Sequence, residues 1–173
     1  MKRHLLVILM LLTTIFAGAR EKYNFNPGWL LSIGDIPSAQ KPSFDDSGWQ
    51  KITLPHAFNE DDAFKVGIHD LTDTVAWYRK HFTLPKTARG QKVFIEFEGA
   101  RQAVDVYLNG HLVGSHEDGV MAFGFDLTPY LKSGANVIAV RVDNDWNYKE
   151  RSTGTPFQWN HRSFNANYGG LHK

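Results

Sequence analysis

Apolar and polar residues alternate in short runs along most of this chain. Proline, glycine and Asn/Asp-rich turns interrupt them roughly every 8 to 12 residues, and no long stretch holds a 3.6-residue period. That punctuation predicts an all-β chain. Trp29 to Ile33 follows a Pro27-Gly28 turn and reads as a first strand; Gln50 to Leu54 reads as a second, halted by Pro55. Asn59 to Asp73 is acidic and mixed, which predicts a long loop. Tyr78 to Leu84 alternates again and stops at Pro85, which has no N–H for a sheet ladder. In Val93 to Glu98, Val93, Ile95 and Phe97 share one face, with Phe94, Glu96 and Glu98 on the other. Val104 to Leu108 and His111 to Gly114 flank Asn109-Gly110, a strong hairpin signal because both central positions of a type I′ turn need positive φ. Phe123 to Asp126 is a short strand leading to Thr128-Pro129, where Thr128 is placed to cap one helical turn. Asn136 to Val142 is apolar on both faces, as a central strand would be.

Eight or so such strands predict two packed antiparallel sheets, a jelly-roll β-sandwich, with a closed barrel as the alternative. The first 19 residues stand apart from that pattern. Lys2, Arg3 and His4 form a basic start, Leu5 to Phe16 is a largely apolar run, and Ala17-Gly18-Ala19 is a small-x-small cleavage site. The run is shorter than the roughly 20 residues of a membrane span. It predicts a signal peptide over 1–19 and one sandwich domain over 20–173. Removal of Lys2 and Arg3 leaves 17 basic against 18 acidic residues, so no basic field is expected for nucleic acid. With no cysteine the chain has no disulfide and no thiol for a lipid anchor. The expected destination is the periplasm or the exterior, without a membrane anchor.

Several segments then fall in a recognisable order: Phe44-Asp45-Asp46-Ser47-Gly48-Trp49, Leu54-Pro55-His56-Ala57-Phe58-Asn59, Trp77-Tyr78-Arg79-Lys80-His81-Phe82, Val106-Tyr107-Leu108-Asn109-Gly110, Gly124 to Thr128, Val140-Arg141-Val142-Asp143-Asn144 and Asn167-Tyr168-Gly169-Gly170-Leu171. In that order they resemble the N-terminal sugar-binding domain of glycoside hydrolase family 2, the group of β-galactosidases and β-glucuronidases. Phe58 stands where the family commonly has tryptophan, and Tyr148 to Asn165 is longer than in the plainest β-galactosidases. The resemblance implies a jelly roll followed, in the same polypeptide, by an immunoglobulin-like sandwich and a (β/α)₈ barrel bearing two catalytic glutamates. It implies further that an acidic or amide residue at Asp143-Asn144 reaches the barrel's sugar pocket.

No residue of this chain is therefore assigned a catalytic role. Asn59-Glu60 has the dipeptide form of the family's acid/base, but it opens a loop of the first domain. Glu96 and Glu98 read as a solvated sheet face, and His111 and His116 as a surface cluster without metal-ligand spacing. No cofactor or metal is assigned. Asp143 and Asn144 are candidate sugar contacts, since carboxylate and amide groups suit paired hydroxyls; strand-end capping is the competing role. Trp29, Trp49 and Trp77 lie in or beside strands and belong to the core. Trp146 and Trp159 sit among polar residues and are candidates for stacking on sugar. The expected partners are a terminal β-linked sugar and the C-terminal domains of the same polypeptide. The leading expectation is the N-terminal domain of an exported β-galactosidase-like hydrolase; a free-standing carbohydrate-binding module is the alternative.

Overall fold

The computed structural model describes residues 20–60, 73–119, 121–156 and 168–172. The expected signal peptide over 1–19 and the candidate Trp159 lie outside them.

Among the described residues, eleven strands form two layers. They are β1 (Pro27–Ile33), β2 (Gln50–Thr53), β3 (His56–Ala57), β4 (Val75–Thr83), β5 (Phe94–Phe97), β6 (Gly99–Arg101), β7 (Ala103–Leu108), β8 (His111–Glu117), β9 (Phe123–Asp126), β10 (Ala135–Asp143) and β11 (Gly170–His172). The first layer is a six-stranded sheet in the order β2-β1-β4-β10-β7-β8, every pair antiparallel. The second is made of two short antiparallel sheets, β3-β11-β6 and β5-β9. The two are continuous along the chain, because β5 runs through Glu98 into β6 and the Glu98 N–H donates to His172 O at 3.2 Å. The all-β sandwich expected from the alternation is what forms.

The core lies between the layers. Trp29, Tyr78, Val106, Leu108, Ile138 and Val140 of the large sheet meet Phe97, Ala100 and Leu171 of the small ones. At roughly 25 cal/mol per Å² of apolar surface, burying side chains of this size is the main term holding the layers together. The outer face of the large sheet is covered too. Ile36, Ala39 and Trp49, from the segment between β1 and β2, pack over Val75, Trp77 and Ala139. Two covered faces account for the unbroken burial of Val75 to Lys80 in β4 and of Asn136 to Val140 in β10, the central strands, and for the apolar character of both sides of Asn136 to Val142.

Trp29 and Trp77 are core as expected, while Trp49 is half-buried and stacks edge-on against Phe44. The Asn109-Gly110 turn has φ of 53° and 88°, and Leu108 faces His111 across it, as the hairpin requires. Thr128 differs from expectation. Its helical turn exists (Thr128–Tyr130), but Leu127 holds the cap position and makes no side-chain cap bond. The Thr128 hydroxyl instead accepts the Val93 N–H at 2.9 Å, and Asp126 accepts the Thr128 N–H at 2.9 Å. A bond that ties the turn to the neighbouring strand replaces the local cap.

Candidate functional site

β10 ends at Asp143, opposite Val75 on one side and Ala103 on the other, so the antiparallel strands on either side of it begin at this same end of the sandwich. The chain then makes a tight Asx turn, with the Asp145 N–H donating to Asp143 Oδ1 at 3.1 Å. Gln102, buried at the β6–β7 corner, grips this turn at two points. Its N–H donates to Asp143 O at 3.1 Å and its Nε2 to Asp145 O at 2.8 Å. The Asn144 N–H donates to Thr74 O at 3.0 Å. Backbone bonds from two neighbouring elements thus fix where residues 143–145 project.

Asp143 and Asn144 then take different parts. Asn144 is fully buried, and its amide lies beside Gly169: a Cβ on that glycine would come within 2.8 Å of Asn144 Nδ2 and 2.4 Å of the Phe58 ring edge. The Phe58 N–H donates to Gly169 O at 2.8 Å, while the Gly169 N–H donates to Asn59 Oδ1 at 3.0 Å. Asn59 is therefore part of the scaffold, and Glu60 beside it is exposed. Asp143 keeps 14% of its side chain in solvent. Its Oδ2 accepts Arg141 Nη1 at 3.0 Å, and with one bond on each oxygen an ionised carboxylate retains capacity for two more. Trp146 is half-buried at the same end, its N–H donating to Asp73 Oδ2 at 3.3 Å.

Charges on the outer sheet face brace this turn. Arg141 holds Asp35 in a two-point fork, Nε to Oδ1 at 3.0 Å and Nη2 to Oδ2 at 2.8 Å; that bond keeps the Asp35 carboxyl below its ordinary value. Arg151, returning on the segment beyond Trp146, forks Asp105 in the same way at 2.7 and 2.8 Å. Burial opposes ionisation of Asp105, but the Arg151 fork and the Ser115 hydroxyl outweigh it and lower its pKa. The Arg151 N–H and the Tyr148 hydroxyl both reach Glu117 Oε1.

The structure thus brings together three of the four candidates, Asp143, Asn144 and Trp146. Sequence reasoning missed Gln102, Asn59, Arg141 and Asp35. Asn59 and Arg141 did lie in segments that carry the family resemblance, and Arg141 stands two residues before Asp143 on one strand face. The histidines do not cluster: the His111 ring stacks on Tyr130 and the His116 ring on Phe123. Among the described residues no group of three or more His, Asp or Glu side chains is placed to hold a metal ion.

Residues 33–164 match the profile of the glycosyl hydrolases family 2 sugar binding domain. The chain belongs to this family. Over 167 residues and 92% of its length, this family 2 domain is 43% identical to a β-glucuronidase of Formosa agariphila. Over 72% of its length it is 40% identical to a β-galactosidase of Thermoanaerobacter pseudethanolicus. It spans only 17% of either relative. Among solved structures, a β-glucuronidase from glycoside hydrolase family 2 superposes with a TM-score of 0.76 at 42% identity, covering 86% of this chain and 16% of the other.

Proposed function

We propose that this domain is the N-terminal part of an exported family 2 β-glycosidase and contributes Asp143 to recognition of a terminal β-linked sugar, with hydrolysis carried out by later domains of the same polypeptide. One observation carries the reading. Residues 54–59, 143–145 and 168–171, remote in sequence, meet at one end of the sandwich through the Phe58, Asn59, Asn144 and Gly169 contacts. Beside that joint Asp143 is a partly exposed side chain with unused acceptor capacity, suited to hydroxyl donors. Trp146, at the same end, supplies an aromatic face; Trp159 belongs to the proposal on its sequence setting. Asn144 takes the scaffold role. The relatives named above include both a glucuronidase and a galactosidase, so both glycosides belong in the test.

The test uses the polypeptide of the whole reading frame, assayed on aryl β-galactosides and β-glucuronides. Cleavage of one of them, with kcat/KM falling about tenfold or more in Asp143→Ala, is the expected result. Inactivity on every common β-glycoside, or an unaltered kcat/KM in the variant, would overturn it. Export is checked separately: sequencing of the mature N-terminus should begin at Arg20.

A further inference from the structure

We infer that Arg141, locked by Asp35, is a positioning residue that holds the Asp143 carboxylate in its sugar-binding orientation; this rests on the reading of Asp143 given above. Arg141 and Asp143 lie two apart on β10 and so share its outer face. Two of the three donor groups of the guanidinium are spent on Asp35, Nε and Nη2, and the third, Nη1, meets Asp143 Oδ2 at 3.0 Å. Only a planar fork fixed at one edge can aim its other edge this way; a lysine ammonium is a point charge on a flexible stem. Asp35 is in turn fixed by the Trp77 indole N–H, at 3.4 Å from Oδ1.

The pairing is selective. Directly across the sheet from Arg141 stands Asp105, a carboxylate in register on β7. Asp105 is already held by both Nη atoms of Arg151 and by the Ser115 hydroxyl. The second arginine therefore engages both oxygens of the cross-strand competitor, and the third arm of Arg141 goes to Asp143. The other Asp143 oxygen is held by the Asp145 N–H, so the carboxylate is fixed at both oxygens. A hydroxyl bound there meets a carboxylate that does not have to reorganise.

The experiment is a double-mutant cycle in the full-length enzyme with Asp143→Ala, Arg141→Gln and both together. Arg141→Gln should lower kcat/KM about tenfold, and the double variant should be no worse than Asp143→Ala alone. Among monodeoxy aryl glycosides, the analogue insensitive to Asp143→Ala should be insensitive to Arg141→Gln too, a readout that loss of fold would not reproduce. Arg141→Lys should recover less than half of the loss. Asp35→Asn, on an exposed residue, gives a second route: a smaller fall in the same direction that vanishes on the Asp143→Ala background. An unchanged kcat/KM in Arg141→Gln, or penalties that multiply in the double variant, would overturn the inference while sparing the role of Asp143. An Asp143→Ala enzyme with full kcat/KM would remove both.

Discussion

Gly170 shows how little room the site end has. A Cβ there would fall on the His56 carbonyl and come within 2.9 Å of Ala57 Cα, all backbone, so no rotamer change can relieve it. Gly170→Ala should therefore destabilise the domain by about 1–3 kcal/mol, read as a lower denaturation midpoint at an unchanged m-value. Asn109 makes a second case. Its positive φ suits glycine equally, yet its side chain donates to Tyr130 O and Asn136 Oδ1, both at 2.8 Å, and accepts the Val137 N–H at 3.1 Å. Asn109→Gly should keep the hairpin and still cost about 1–3 kcal/mol, because buried partners lose their bonds. Urea denaturation checks it; an unaltered midpoint would sink the argument. The turn was legible in the sequence because positive φ is a local demand. The bonds of Asn109 and the closeness of Gly170 to His56 were not, since each depends on a residue brought in by the fold.

At the scale of elements, alternation and turn residues located every described strand of four residues or more, including β4 and β10, which the structure covers on both faces. They were silent about β3, β6 and β11, whose two or three residues cannot show a period, and these are the strands that place the Tyr168-Gly169-Gly170 segment. The segment after Asp143 turns polar and aromatic, which fits a long surface-lining loop. In the structure Arg151 docks its described part onto Asp105, across the outer face of β7. Arg151→Met should cost on the order of 1 kcal/mol, since a half-exposed guanidinium is screened by solvent. The pH dependence follows from the lowered pKa of Asp105. A carboxyl whose folded pKa lies below its unfolded value adds stability above the unfolded value, near 4. That stability is lost as pH falls through the lower folded value. The penalty of Arg151→Met should thus be full at pH 7 and shrink below about pH 4, as thermal unfolding across that range would reveal. A penalty independent of pH would mean that the arginine acts through packing alone.

For the whole molecule the question is what one sandwich can bind without its neighbours. Asp143 keeps acceptor capacity for two hydrogen bonds, and net gains of about 1.5–3 kcal/mol each to a carboxylate only bracket the roughly 4 kcal/mol that a 1 mM dissociation constant requires, before the cost of immobilising the sugar is subtracted. Stacking on a half-buried Trp146 adds less than a fully presented ring would, and ordering of the sugar subtracts from the total. On the function proposed above, a chain that spans 17% of these relatives shares its pocket with later domains, and affinity and catalysis need both. Residues 20–173 expressed alone should bind methyl β-galactoside and methyl β-glucuronide more weakly than about 10 mM by tryptophan fluorescence, and hydrolyse neither aryl glycoside. Saturable binding below 1 mM would instead favour an independent carbohydrate-binding module, because affinity of that size needs a complete pocket inside this chain. The full-length enzyme gives the complementary measurement. If the pocket is shared, Asp143→Ala should raise KM or lower kcat there while leaving the melting temperature of the sandwich within a few degrees, since its surroundings at 143–145 are still gripped by the backbone bonds of Gln102 and Thr74.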